Sequence, residues 1–385
     1  MNIAIITDAF LPYKSGIVTT IINQANELVN QGHSVIILRP LSVLYKKETP
    51  GLHPNIEVIN IRFCVPSTFK GFSVAPPTVL PILKKIKKYN IEIVHIHTEG
   101  GLGWGGLYAA KASGIPVIGT FHTFFADEQY LKMLKLPSNK IMQKAIWKAS
   151  TSFFNMCDVV ITPSKFTAKI FQENGLKQKP IIISNGIQYR GFKEKPLNLY
   201  KKYKLDPHKK NLLYVGRVSY EKSLSFLVSV MKKLPDYQLV IIGGGKYESE
   251  IKKQISDLKL QKQVFCLGPI PNVELLSKNY FSMGDIFVTA SKTENQPVSI
   301  LEAMSFGLPL LVAHAKGLPE MVYRNGYTFN PDDELDFINK LKLFEKKGVL
   351  KKASENSLKL SKKNAIENSA KKLVQVYKIQ TQHIK

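Results

Sequence analysis

The chain has 385 residues, 44% of them hydrophobic, enough for two domains with a core in each, which excludes a disordered or fibrous protein. Its 54 Lys+Arg against 29 Asp+Glu give a net charge of +25, and such a balance calls for an anionic partner: an acidic membrane, a nucleic acid or a phosphorylated substrate. Residues 1–190 hold 21 basic and 10 acidic side chains, +11, and the remainder carries +14, so neither half is a detached basic tail.

Asn2 to Thr7 reads as a short buried strand. A loop with Pro12 and Gly16 follows, then a helix from about Ile17 to Gln31 that stops at Gly32. Gly16 sits where that helix begins, so its backbone can come close to a phosphate, although a glycine in a turn is more often only a turn. Further apolar runs at Ser34–Leu38, Ile91–His97, Pro116–His122, Asp158–Ser164 and Pro180–Ile187 point to a parallel sheet covered on both faces. Such sheets hold ligands beyond the carboxyl ends of their strands, where His97, Glu99 and His122 fall, with Asp8 after the first strand.

Two stretches of this half are cationic. Lys84, Lys85, Lys87 and Lys88 follow the apolar PTVLPIL. In KMLKLPSNKIMQKAIWKASTSFF, from Lys132 to Phe154, Lys140, Lys144 and Lys148 repeat every four residues beside Trp147. Met142, Ile146, Ala149 and Phe153 form a separate apolar stripe. A basic amphipathic helix of this kind can lie on an anionic leaflet, and the same stripe can equally pack against the first sheet.

Asn185-Gly186-Ile187 is a turn, and the polar stretch through Pro196 and Pro207 marks a boundary. A second series of strands follows at Asn211–Arg217, Gln238–Gly244, Val264–Leu267, Asp285–Ser291 and Leu308–Ala313, with helices between. Gly216-Arg217 ends the first of these, and Lys222 follows five residues later. A guanidinium fork and an ammonium on one loop suit a diphosphate, though each can also pair with a surface carboxylate. Gly243-Gly244-Gly245-Lys246 is not a P-loop, because the spacing and the following Ser/Thr are missing. After the strand DIFVTAS, Glu294 lies in the loop before Pro297, and Glu302 lies in the helix from about Pro297 to Phe306 that Gly307 and Pro309 end. An amphipathic helix from about Asn364 to Lys385 closes the chain.

Gly216, Arg217 and Lys222 in the order G-R-x4-K, with Glu294 and Glu302 in the order E-x7-E, resemble the motifs of the retaining family-4 glycosyltransferases. SKTENQ is similar to the bacterial members that glucosylate diacylglycerol. The resemblance implies an α/β protein of the GT-B type, with two Rossmann-like, doubly wound domains facing across a cleft. These would be residues 1–190 on the acceptor and membrane side, 191–363 on the nucleotide-sugar side, and a helix of 364–385 returning toward the first domain. It implies a nucleotide sugar, UDP-glucose, as donor and a lipid, 1,2-diacylglycerol, as acceptor.

The resemblance also implies roles. Arg217 and Lys222 would take the diphosphate, Glu294 with Asn295, Gln296 and Pro297 the sugar, Glu302 the ribose, and Gly216, Gly244 and Gly16 the donor by close backbone approach. His122 would position the sugar or polarise the site. No metal or other cofactor is implied, and no D-x-D triplet occurs. Lys84, Lys85, Lys87, Lys88, Lys140, Lys144, Trp147 and Lys148 would face an anionic membrane. The chain departs from the family where Asn295-Gln296-Pro297 stand in place of a frequent glycine, and where Lys14-Ser15 precede Gly16 in place of a glycine pair.

Cys64, Cys157 and Cys266 are far apart and suggest buried thiols in a reducing compartment. No stretch reaches the ~18 apolar residues of a spanning helix, and the N-terminus lacks a basic leader, so the expectation is a cytoplasmic protein at the inner face of the cell membrane. Two other readings remain open: a same-fold transferase acting on a glycan, and a nucleic-acid-binding protein suggested by the charge, although no nucleic-acid module is recognisable.

Overall fold

The structure, a computed structural model, describes residues 1–13, 15–41, 50–62, 65–66, 73–133 and 136–382, so Lys14 and Cys64 lie outside the described residues. Two compact units emerge, one of Met1–Ala126, Ser138–Gly186 and Ala365–Lys385, the other of Asp127–Pro137 and Ile187–Asn364. The grouping of residues 127–137 with the second unit departs from a linear reading of the chain.

The first unit contains β1 (Asn2–Ile6), β2 (Ser34–Pro40), β3 (Glu57–Ile61), β4 (Val65–Pro66), β5 (Ser73–Val74), β6 (Ile93–Ile96), β7 (Val117–Thr120), β8 (Val159–Thr162) and β9 (Ile181–Ile182). Seven of these form one parallel sheet in the order β3-β2-β1-β6-β7-β8-β9, and β4 pairs antiparallel with β5. The strands are apolar on both faces because helices cover both. Ile3 and Ile5 join Val18, Ile21, Leu373 and Tyr377, while Ala4 and Ile6 join Val94, Phe153 and Phe154. The order of strands reverses between β1 and β6.

The second unit repeats the plan with β10 (Lys210–Val215), β11 (Tyr237–Ile242), β12 (Val264–Gly268), β13 (Ile286–Thr289), β14 (Leu310–Ala313) and β15 (Gly326–Phe329). Their order is β12-β11-β10-β13-β14-β15, all parallel, over a single apolar cluster. Here the reversal falls between β10 and β13, where Leu212 pairs with Ile286 and Leu213 with Phe287. In doubly wound sheets this switch point is where the loops diverge and a ligand enters.

Candidate active site

The loops leaving β10 and β13 meet at the second unit's switch point. β10 ends at Val215, and Gly216-Arg217 lead into a single 3-10 turn, Tyr220–Lys222. β13 ends at Thr289, and its loop runs through Glu294 to Pro297, which caps the helix Val298–Ser305. Lys222 Nζ donates to Glu294 Oε1 across 72 residues of sequence, with both side chains mostly shielded from water. Ser291 Oγ donates to the Glu221 carbonyl at 3.4 Å, which ties the two loops together again.

Arg217 lies beside another acid. Its Nη2 lies 3.5 Å from Oε1 of Glu221, a carboxylate only 2% exposed that also accepts from Ser219 Oγ at 2.6 Å. Tyr214, buried beneath, donates its hydroxyl to the Arg217 carbonyl at 2.8 Å and so fixes the turn from below. The next loop packs against this one. Gly243 sits at φ +148°, and a Cβ there would come within 1.8 Å of the Gly216 carbonyl oxygen, so only glycine lets the two strand ends approach. Val218 N–H donates to the Gly244 carbonyl at 3.0 Å and completes the seam.

Glu302 is 4% exposed, inside the helix that Pro297 begins. Asn272 Nδ2 donates to its Oε1 at 2.8 Å, and loss of solvent raises its carboxyl to about 7. The two acids of the E-x7-E pattern therefore have separate partners: Lys222 for Glu294 and Asn272 for Glu302. Asn295 is buried and Gln296 half-buried. The Glu294 carbonyl accepts from Gly317 N–H at 3.1 Å, and a Cβ at Gly317 would strike the Asn295 carbonyl, so this loop is held by close backbone contact.

In the first unit, Gly16 opens the helix Gly16–Asn30, with Ser15 as its cap accepting from Val18 N–H. Asp8 is buried after β1, where it accepts from Leu102 N–H at 2.9 Å, Gly103 N–H at 3.3 Å and Thr98 Oγ1 at 2.9 Å. It thereby satisfies two first-turn N–H groups of the helix Gly101–Ala112, whose N-cap residue is Gly100. Glu99 accepts from Ser150 Oγ at 2.9 Å, and burial raises its carboxyl to about 7. His122, half-buried, is depressed to about 4 by the same loss of solvent, and its Nε2 lies 2.9 Å from His97 Nδ1.

Residues 14–189 match the description Glycosyltransferase Family 4, and residues 198–367 match Glycosyl transferases group 1. The alpha-monoglucosyldiacylglycerol synthase of Acholeplasma laidlawii is 30% identical over 352 residues, which span 87% of this chain and 86% of that protein. The chain belongs to the family-4 glycosyltransferases. The synthase of the same name from Streptococcus pneumoniae (strain ATCC BAA-255 / R6) is 28% identical over 82% of this chain and 71% of its own length. In fold, this glycosyltransferase superposes on Anabaena Alr3699/HepE in complex with UDP with a TM-score of 0.79 at 16% identity, covering 98% and 99% of the two chains.

Of the expected donor residues of this glycosyltransferase, all but Gly16 lie in the second unit, with Lys222 and Glu294 in contact and Glu302 set apart in the interior, whereas Gly16 lies in the first unit. Glu221, Asn272 and Gly317 were not anticipated. Glu221 adjoins Lys222 in the sequence, but an acid beside a lysine reads as an ordinary surface pair. Asn272 and Gly317 carry no spacing signal at all.

Among the expected membrane residues, Lys140, Lys144 and Lys148 line the outer face of the helix Lys140–Phe154, next to an Ile141 that is 80% exposed. Lys84, Lys87 and Lys88 are exposed, and Lys85 half-buried, on the helix Val79–Lys88. Trp147 is a correction. Its ring points inward, 6.0 Å from Phe121, 6.1 Å from Phe124 and 5.9 Å from Phe171, because burying an indole among aromatics gains more than leaving it in water. Ala149, expected on the apolar stripe, is exposed. No helix among the described residues is long and apolar enough to cross a membrane.

Proposed function

We propose that the chain transfers glucose from UDP-glucose to the hydroxyl of 1,2-diacylglycerol, with retention of configuration, while resting on the inner face of the cell membrane. The observation that carries the reading is the Lys222–Glu294 ion pair at the second unit's switch point. Such a pair suits a cation for the leaving diphosphate beside an acid for the sugar hydroxyls, and so supports the reading. The lipid acceptor and glucose are favoured by the names of two synthases similar to the chain. Retention is favoured by the same names, because UDP-glucose is an α-glycoside and those relatives are named for an alpha product.

In this reading the bond from the anomeric carbon to the diphosphate oxygen breaks, and the acceptor oxygen bonds to the same face. The acceptor proton leaves with the diphosphate. Arg217 and Lys222 offset the growing charge of the leaving group, so the reaction needs no metal from the protein. The diphosphate is a stronger anion than one carboxylate; as it draws Lys222 away, Glu294 is released to accept from the sugar. Glu302 accepts from the ribose, and His122 positions the sugar. Lys84, Lys85, Lys87, Lys88, Lys140, Lys144 and Lys148 hold the protein on the anionic leaflet.

Purified protein mixed with anionic vesicles, diacylglycerol and radiolabelled UDP-glucose should yield a glucolipid whose anomeric configuration by NMR is α. A panel of nucleotide sugars left unconsumed with every lipid and glycan acceptor would overturn the transferase reading. Transfer to glycans alone would overturn only the lipid acceptor.

A further inference from the structure

The first unit sets three imidazoles side by side, His95 and His97 buried and His122 half-buried. The rings of His95 and His97 are 4.1 Å apart, and those of His97 and His122 are 5.2 Å apart and nearly parallel at 15°. Both nitrogens of His95 are engaged, Nδ1 with the Tyr377 hydroxyl and Nε2 with Thr120 Oγ1, each at 2.6 Å. His97 is 1% exposed, and its Nδ1 lies 2.9 Å from His122 Nε2. The other nitrogen of His97, Nε2, is buried and has no hydrogen-bond partner among the described residues.

Burial keeps all three rings neutral at ordinary pH: His95 falls to about 3, His122 to about 4, and His97 well below its usual value. Each ring then carries one proton, and one of the two facing nitrogens must donate to the other. A proton on His97 Nε2 would bury an N–H with no acceptor. A proton on His97 Nδ1 leaves only a lone pair unmatched, and proteins tolerate orphaned acceptors better than orphaned N–H groups.

We infer that His97 is a positioning residue: its Nδ1–H donates to His122 Nε2, fixing His122 in the tautomer that carries its proton on Nδ1 and holding the plane of the ring. His122 then meets the sugar with an N–H rather than a lone pair. The last step rests on the reading of His122 given above; the tautomer itself rests on the geometry and on the neutral state of the rings.

Long-range 1H–15N spectra of the full chain with 15N-histidine, assigned by comparison with His122→Asn, read the tautomer directly. The expected result is a protonated Nδ1 and an unprotonated Nε2 on His122, and the reverse would overturn the inference. In turnover, His97→Asn keeps an amide donor where Nδ1 stood and should stay within about threefold of the parent kcat. His97→Leu should lose about tenfold in kcat, with the donor KM within about twofold.

Full kcat in His97→Leu, or an equal fall in His97→Asn, would also overturn the inference. Should His97→Leu fail to fold, His97→Asn and the spectrum decide. His122→Ala separates the two readings. If it keeps full turnover, the sugar role of His122 fails; if it loses turnover while His97→Leu does not, only the role of His97 fails.

Discussion

At the scale of single residues, Lys222 is one cation with two claimants. Glu294 holds it, and the pair is shielded enough for the loss of either member to matter. Removing the acid leaves the lysine to the diphosphate. Glu294→Gln should therefore bind UDP at least as tightly as the parent by calorimetry, while kcat falls about 100-fold; weaker UDP binding would show that the ion pair does not compete with the nucleotide. Lys222→Ala should lose both UDP affinity and turnover. Glu302 makes a second case, in stability. Its carboxyl is raised from 4.5 to about 7 in the folded chain, so the fold binds its proton more tightly than the unfolded chain does. The stabilisation is complete below pH 4.5 and is lost as pH climbs through 7, after which holding the ionised group costs about 3 kcal/mol. Glu302→Gln lacks that cost. Urea unfolding should show the variant gaining on the parent between pH 5 and pH 8; a gap that does not change with pH would mean that the carboxylate is not desolvated as described.

At the scale of elements, what the sequence made legible follows from burial. Strands enclosed on both faces are continuous apolar runs, and β1, β2, β6, β7, β8, β10, β11, β13 and β14 all lie within a few residues of where those runs predict them. β3, written EVINI, and β15, written GYTF, were missed. Each is an edge strand with half-exposed positions and no apolar run to announce it. The helix Val298–Ser305 was legible from Pro297 and Gly307, but the inward turn of Trp147 was not, since the partners of its ring come from other elements far along the chain. The same helix, Lys140–Phe154, carries the test of membrane contact. Among the described residues no ion pair neutralises Lys140, Lys144 or Lys148, and each near-surface cation contributes on the order of 1 kcal/mol to binding an anionic leaflet. Lys140→Glu, Lys144→Glu and Lys148→Glu together should cut co-sedimentation with anionic vesicles at least tenfold. Thermal stability should be preserved, because all three point to solvent. Unchanged sedimentation would remove this face from the membrane contact.

At the scale of the whole molecule, chain order and unit order part company. The amphipathic pattern after Asn364 announces a helix, but the pattern cannot say which apolar surface it covers, because any surface of matching width would serve. The structure puts the helix Ile366–Gln382 in the first unit, where Leu373, Val374, Val376 and Tyr377 join the cluster built by Ile3, Ile5, Val18 and Ile21. Tyr377 also supplies the hydroxyl that holds His95. Deleting residues 365–385 takes those four side chains out of the cluster, each worth about 2–4 kcal/mol, against a typical domain stability of about 5–15 kcal/mol. The damage should therefore appear at the opposite end of the sequence from the cut. Both tryptophans, Trp104 and Trp147, lie in the first unit, so their fluorescence reports on it alone, whereas UDP affinity reports on the second unit, where Lys222 and Glu294 reside. The expected outcome is a red-shifted tryptophan emission with the UDP affinity held within about threefold. An unshifted emission would mean that the closing helix adds nothing to the first core. A parallel loss of UDP binding would mean that the second unit depends on the first for its fold.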